Sequence, residues 1–306
     1  MSFTKQIIED IKQNQSNPEI IAIVGPTCTG KSDLAIEVAQ ELSLPIINCD
    51  SRLIFKEMNI GTAKPSKEEL EAVKHYLVNI KTPDTSYSAG DYRKDFDNVY
   101  ENLEANKFGT KAVVVGGTGL YIRSALDNLN MPEVSRDKEM RDELNEKELE
   151  ELQKIVLDLD PEAHKDLDMQ NKVRIIRAIE IIRVSGKPLA ENRSKEKSNR
   201  YKTLYYGLNF ESRRKLYDLI NYRVVKMLQR GLVHEVEALV EKYGESEVLQ
   251  STIGYREILP YLRGEYSLSE GRRRIQKRTR VYAKKQMTWF NQNRDIKWFI
   301  RQDLRA

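Results

Sequence analysis

The stretch "GPTCTGKS", residues 25–32, constrains this chain more than any other. It fits the pattern GxxxxGK[ST] and stands where that pattern has meaning. The apolar run "EIIAIVG" precedes it, and "KSDLAIEVAQELSL" follows with Leu34, Ala35, Val38, Ala39 and Leu42 at helical spacing. Glycines let such a loop curl until successive backbone N–H groups converge on phosphate oxygens, and the helix that it opens adds partial positive charge. Gly25, Pro26, Thr27, Cys28, Thr29 and Gly30 form the predicted cradle. Lys31 brings a full positive charge, and the Ser32 hydroxyl is placed to ligate Mg2+ held by the same phosphates.

A strand, a phosphate loop and a helix in this order belong in a parallel sheet, and the rest of the chain supplies more of it. "PIINCDS" and "KAVVVGGTG" read as buried strands, with the helix-compatible "AGDYRKDFDNVYENLEANK" between them, and "YKTLYYGLNF" reads as a returning strand. The expected class is α/β: a parallel sheet like that of the phosphate-loop nucleotide hydrolases, covered by helices on both faces. Residues 123–200 show no convincing strand and are helical, polar and charged, closing on the linker-like "SGKPLAENRSKEKSNR". The expected division is a core of residues 1–122 and 201–306 interrupted by a helical insertion, 123–200. Everything after Glu211 reads as helical.

Composition excludes several classes. No run approaches the roughly 20 apolar residues that span a bilayer, and the first twenty residues have the pattern of neither a signal nor a transit peptide. Two cysteines, Cys28 and Cys49, with three scattered histidines make neither a disulfide framework nor a zinc site. A cytoplasmic monomer with no membrane partner is expected.

Most owners of such a loop split or transfer a phosphoryl group, and an Asp after a later hydrophobic strand helps them hold Mg2+. Here "AVVVGGTG" runs into glycines and Thr118 instead. Thr118 reads equally as a residue near a ligand and as a helix N-cap. The acid that does end a strand is Asp50, which suits metal binding, proton acceptance or the capping of a following helix. In "RRKLYDLINYRVVKMLQRG", Arg223 interrupts the apolar stripe Leu216, Leu219, Ile220, Val224, Met227. Its guanidinium is expected either to pair with a buried acid or to reach a phosphate.

Charge is unevenly spread. Residues 136–170 hold 13 acids against 6 bases, whereas residues 266–298 hold 10 Lys or Arg against 2 acids. In "GRRRIQKRTRVYAKKQMTWF", Ile275, Tyr282 and Trp289 recur every seven residues beside Ala283 and Phe290, an expected core stripe, with Arg273, Lys277, Arg280 and Lys284 on the flanks. A basic helical face with aromatic residues nearby suits a nucleic-acid backbone. Arg174, Arg177 and Lys187 extend the positive surface.

Taken in order, "GPTCTGKS", "CDSRLIFKEMNIGTAKP", "GGTGLYIRSAL", "RIIRAIE", "TIGYRE" and "RTRVYAKKQMTWF" resemble the tRNA dimethylallyltransferases, also called tRNA isopentenyltransferases, over residues 20–292. The resemblance implies that the loop grips the diphosphate of dimethylallyl diphosphate, and that the dimethylallyl group moves to N6 of the adenosine 3′ of the anticodon in tRNA. With no γ-phosphate to transfer, the missing acid is accounted for. By the same resemblance Asp50 is the base for the adenine amine, Thr118 lies between diphosphate and target nucleotide, and Arg223 contacts diphosphate. The anticodon stem-loop would meet Ser51, Arg52 and Leu53, then Arg141, Arg174 and Arg177, then Thr252, Gly254, Tyr255 and Arg256. On the last helix it would meet Arg278, Arg280, Lys284, Lys285, Gln286 and Trp289.

The chain departs from the family in places. Arg52, Leu53, Ile54 and Phe55 stand where Met, Gln, a β-branched residue and Tyr are usual, and a leucine cannot hydrogen-bond a base. Leu219 and Val225 replace the common Arg and Asp, and Cys28 and Thr29 replace smaller residues. The zinc-binding extension of eukaryotic relatives has no counterpart, so a bacterial-type member is expected. Competing expectations are an adenylate dimethylallyltransferase acting on free AMP and a small-molecule kinase.

Overall fold

The computed structural model describes residues 2–13, 17–127, 134, 137–191 and 199–302. They fall into two compact units, residues 1–126 with 199–306, and residues 127–198.

The first unit is built on a six-stranded sheet in which every pairing is parallel. Helix α1 (Phe3–Gln13) leads to β1 (Ile20–Val24), followed by α2 (Lys31–Leu42), β2 (Ile46–Asn48), α3 (Lys67–Ala72) and β3 (His75–Tyr76). Then come α4 (Ala89–Glu101), β4 (Ala112–Gly116) and α5 (Gly119–Leu126). Spatial order along the sheet is β3, β2, β4, β1, then two strands from the C-terminal part of the chain. All five residues of β1 are buried, as a central parallel strand flanked on both sides requires. Ile20 lies beside Ala112 on one side and Thr203 on the other, so the strands end together on the edge where the phosphate loop begins. The insertion boundary expected after residue 122 falls inside α5, whose buried Ile122, Ala125 and Leu126 belong to the core of this unit.

In the second unit, α6 (Lys138–Asn145), α7 (Leu149–Leu159) and α8 (Lys172–Ser185) pack with a short 3-10 turn, Ala163–Lys165. Leu144, Leu152, Val156, Ile175 and Ile179 form the centre of their core. Residues 192–198 of the expected linker lie outside the described residues. Within this core Glu180 is fully buried and accepts from Arg141 Nε at 2.9 Å and Nη2 at 2.8 Å, from the Asp137 amide at 2.7 Å, and from Arg177. Arg177 also donates to the Val134 carbonyl. Arg141 and Arg177, expected at the tRNA, are thus committed to an internal carboxylate. Arg174 is the exposed member of the set, 3.8 Å from Asp168.

Burial would raise the Glu180 carboxyl, but the hydrogen bonds from Arg141, Arg177 and the Asp137 amide outweigh it and hold the pKa down to about 2. The ordinary value is near 4.5, so the unfolded chain binds more protons between these two values. Stability from this group is complete above about pH 4.5 and is lost as pH falls through about 2. Glu180→Gln should remove that acid-dependent component from helical circular dichroism and cost about 3 kcal/mol at neutral pH, since two arginines lose their counter-charge.

The chain then returns to the sheet as β5 (Thr203–Phe210) and continues through α9 (Arg213–Gln229), α10 (Leu232–Tyr243), α11 (Glu247–Ser251), α12 (Tyr255–Leu262) and α13 (Leu268–Phe290). It ends in β6 (Ile296–Arg301), paired parallel to β5. The expectation that only helix follows Glu211 is therefore wrong. β6 is a half-exposed edge strand with Lys297 in its short apolar run, and it is held by packing: Phe299 stacks on Phe3 and on Tyr206, and Lys297 reaches Asp10. No described helix is long and apolar enough to cross a membrane.

Candidate active site

The loop between β1 and α2 is wound as its glycines require. Gly25 and Gly30 have φ of 136° and 79°, and a Cβ on Gly30 would stand 2.2 Å from Arg301 Nη1. Arg301 donates to the Thr29 carbonyl at 3.1 Å, a contact from β6 that local sequence reasoning could not supply. Cys28 takes a left-handed φ of 67° although it is not glycine. Thr29 is buried and donates to the Pro26 carbonyl at 2.9 Å, and Lys31 Nζ donates to the same carbonyl at 2.7 Å. Burial lowers the Lys31 pKa to about 8; Asp50 and Cys28 oppose the shift and Arg223 adds to it. An anion in the cradle would restore the charge.

Asp50 follows β2. Its amide donates to Asn48 Oδ1, while Asn48 Nδ2 donates to the carbonyls of Asp50 and Leu77, and Tyr92 donates to the Asn48 carbonyl. Asp50 Oδ1 accepts the Arg52 N–H at 2.9 Å and so shapes the turn through residues 51–54 rather than capping a regular helix. Its second carboxylate oxygen takes no hydrogen bond from the described residues. Thr118 precedes α5: its carbonyl accepts from Tyr121 and Ile122 at the start of that helix, and its Oγ1 accepts the Ser51 N–H at 3.1 Å rather than capping the helix. The ends of β2 and β4 are thereby tied together. Gly116 sits where the missing acid would have been sought nearby, and a Cβ there would lie 2.1 Å from the Cys49 carbonyl oxygen, so the strands can close up only around glycine.

Arg223, on α9, has no buried acid as partner among the described residues. Nη1 donates to Thr27 Oγ1 at 3.0 Å and to Cys28 Sγ at 3.6 Å, and Nη2 donates to the Thr62 carbonyl at 3.4 Å. The expected pairing with a buried acid is thus not seen, and the guanidinium contacts the phosphate loop itself. Leu219, where a second arginine is common, packs with Phe210, Leu216 and Ile220. Thr27, Asp50, Arg52 and Arg223 face one cavity of about 800 Å³, whose far wall is the basic face of α13. Leu53 is not on that wall, and its carbonyl accepts the Asn79 N–H.

Several residues expected at the nucleic acid are instead internal. Gln286 is buried: Oε1 accepts the Thr27 N–H at 2.9 Å and Nε2 donates to the Gly117 carbonyl at 2.9 Å, clamping the phosphate loop to the end of β4. Tyr255 is fully buried with its hydroxyl on Glu235, and the Thr252 hydroxyl donates to the Val248 carbonyl. Thr252, Gly254 and Arg256 still border the cavity, with Arg256 Nε 2.6 Å from the buried Glu257. Arg278 lies 3.1 Å from the same carboxylate. Arg280 turns to α9, donating to Asn221 Oδ1 at 2.6 Å with its guanidinium over Tyr217.

The core stripe of α13 is Ile275, Ala283, Gln286 and Phe290; Tyr282 and Trp289 are only half-buried. Tyr282 joins the cavity wall, where burial raises its hydroxyl above the usual phenol range. Trp289 packs on Gly119, with the Arg123 guanidinium over its ring. Lys277 and Lys285 are exposed on the cavity side and Lys284 is exposed elsewhere.

A model of the IPP transferase family matches residues 53–293. A tRNA dimethylallyltransferase of Acetivibrio thermocellus is 41% identical over 291 residues, covering 93% of this chain and 92% of the relative. Among solved structures, a tRNA isopentenylpyrophosphate transferase of Staphylococcus epidermidis superposes with a TM-score of 0.67 at 36% identity, covering 94% of each chain. A eukaryotic dimethylallyltransferase captured acting on tRNA superposes with a TM-score of 0.78 at 27% identity, covering 93% of this chain and 74% of that one. The cradle, the carboxylate beside it and the arginine on α9 therefore sit in a chain that belongs to the IPP transferase family.

Proposed function

We propose that this protein transfers the dimethylallyl group from dimethylallyl diphosphate to N6 of the adenosine 3′ of the anticodon in tRNA. The observation that carries this reading is a cavity in which Thr27 of the phosphate loop, Asp50 and Arg223 meet the basic face of α13. In the reaction the adenine N6 attacks the allylic carbon, a C–N bond forms, the C–O bond to diphosphate breaks, and the N6 proton passes to Asp50. The amine is a weak nucleophile because its lone pair is delocalised into the ring, so a carboxylate placed to take the proton matters. Charge builds on the departing diphosphate, where the loop amides, Lys31 and the Arg223 fork can offset it. Thr118, whose Oγ1 accepts the Ser51 N–H beside Asp50, is assigned the role of orienting the donor against the base.

The described residues contain no group of three His, Cys, Asp or Glu able to hold a metal by themselves. The donor present, the Ser32 hydroxyl in the first turn of α2, fits a Mg2+ that takes most of its ligands from diphosphate and water. When bound, the ion would neutralise part of the leaving-group charge.

Mass analysis of tRNA nucleosides after incubation with dimethylallyl diphosphate tests the reading, and unmodified adenosine would overturn it. Turnover on free AMP instead of an anticodon stem-loop would indicate the adenylate reaction. Thermal stabilisation by ATP with Mg2+ but not by dimethylallyl diphosphate would indicate a kinase. The tRNA is read as lying along α13, where Lys277 and Lys285 carry no ion pair among the described residues. Changing both to Ala should lower the slope of log affinity for tRNA against log salt by roughly one to two and leave diphosphate affinity unchanged. An unaltered slope would put the tRNA elsewhere.

A further inference from the structure

Residues 58–64, "MNIGTAK", make a tight loop on the cavity rim that ends next to Arg223, and nothing in the proposed chemistry explains what holds it. Glu235, in the first turn of α10, does so. Its Oε2 accepts the N–H groups of Asn59 at 2.9 Å and Ile60 at 2.7 Å, and its Oε1 accepts the Gly61 N–H at 3.0 Å and the Tyr255 hydroxyl at 2.6 Å. One carboxylate thus gathers four donors from two separate segments, each bond strengthened by its charge. Gly61 leaves no alternative packing, because a Cβ there would be 2.4 Å from the Tyr255 ring. The next residue, Thr62, presents the carbonyl that accepts from Arg223 Nη2, while Nη1 reaches Thr27 on the phosphate loop.

We infer that Glu235 is a positioning residue for Arg223: by fixing residues 59–61 it sets the Thr62 carbonyl, and so fixes the second anchor of the guanidinium fork over the phosphate loop. This rests on the reading of that loop as a diphosphate site. Replacing the carboxylate by an amide turns an NH2 donor toward backbone N–H donors, so the loop relaxes and the fork keeps only its Thr27 anchor.

The test is a double-mutant cycle on the purified full chain, with inorganic pyrophosphate as the calorimetric probe. Glu235→Gln should weaken pyrophosphate binding about tenfold, yet cause no further loss when Arg223 is already Ala, because a residue acting through another loses its effect with it. Tyr255→Phe, which keeps the ring against Gly61 and removes one donor, should give about a threefold loss that vanishes in the same background. Equal losses with and without Arg223, or unchanged affinity in both variants, would overturn the inference. Should Glu235→Gln fail to fold, Tyr255→Phe decides alone. Failure of the unaltered protein to bind pyrophosphate would instead remove the reading of the site.

Discussion

Asp50→Asn is expected to lower the rate of dimethylallyl transfer by about 10²- to 10⁴-fold while leaving diphosphate and tRNA affinities close to those of the unaltered protein. The substitution keeps shape and an oxygen that can still accept the Arg52 N–H, so the turn through residues 51–54 survives. What disappears is the basicity of the oxygen that takes no hydrogen bond from the described residues. Single-turnover measurements separate the two effects: a slow chemical step with intact binding supports Asp50 as proton acceptor, and full-speed transfer removes it from that role.

The second large effect belongs to Lys31. Lys31→Met keeps the length of the side chain and removes its charge, and should slow transfer by about 10²- to 10³-fold. It should also erase a specific pH dependence. In the ligand-free protein burial holds the Lys31 pKa at about 8, below its ordinary 10.5, so between these values the folded protein binds fewer protons than the unfolded one. Ligand-free stability from this group therefore rises with pH across that window. Diphosphate needs the charged form, so its affinity should be level below about pH 8 and fall by up to about tenfold per pH unit above it. Calorimetry with pyrophosphate from pH 6.5 to 9.5, roughly the range around that pKa, reads this as the difference between the unaltered protein and Lys31→Met, which cancels the titration of the ligand itself. A difference that does not change with pH would show that Lys31 is not the titrating group.

The parts of the site that are local in sequence were legible from it. The loop from Gly25 to Ser32 carries its geometry in its own glycines, and β1 and α2 announce themselves by apolar spacing. Asp50 and Arg223 were recognisable as groups standing out from strand and helix patterns. Partners far apart in the chain were not. Gln286 looks like one more polar residue on a basic helix, but it reaches Thr27, 259 positions away. Tyr255 lies in a motif that resembles a nucleic-acid contact and is buried against Gly61 instead. Arg141 and Arg177 were expected at the tRNA because the acid that holds them, Glu180, sits within the apolar stripe of α8 and does not announce itself as their partner. The strand β6 is short, is interrupted by Lys297 and follows a long basic helix, so it does not stand out until Phe3 and Tyr206 are known to cover it.

The two neighbours Lys285 and Gln286 on α13 couple the cavity wall to the phosphate loop through one helix. One faces the open cavity, and the next grips the Thr27 amide and the Gly117 carbonyl. Because the two side chains are successive residues of one helix, inserting one residue ahead of Lys285 would turn both by about 100°, removing a basic group from the cavity wall and the clamp on the phosphate loop in a single step.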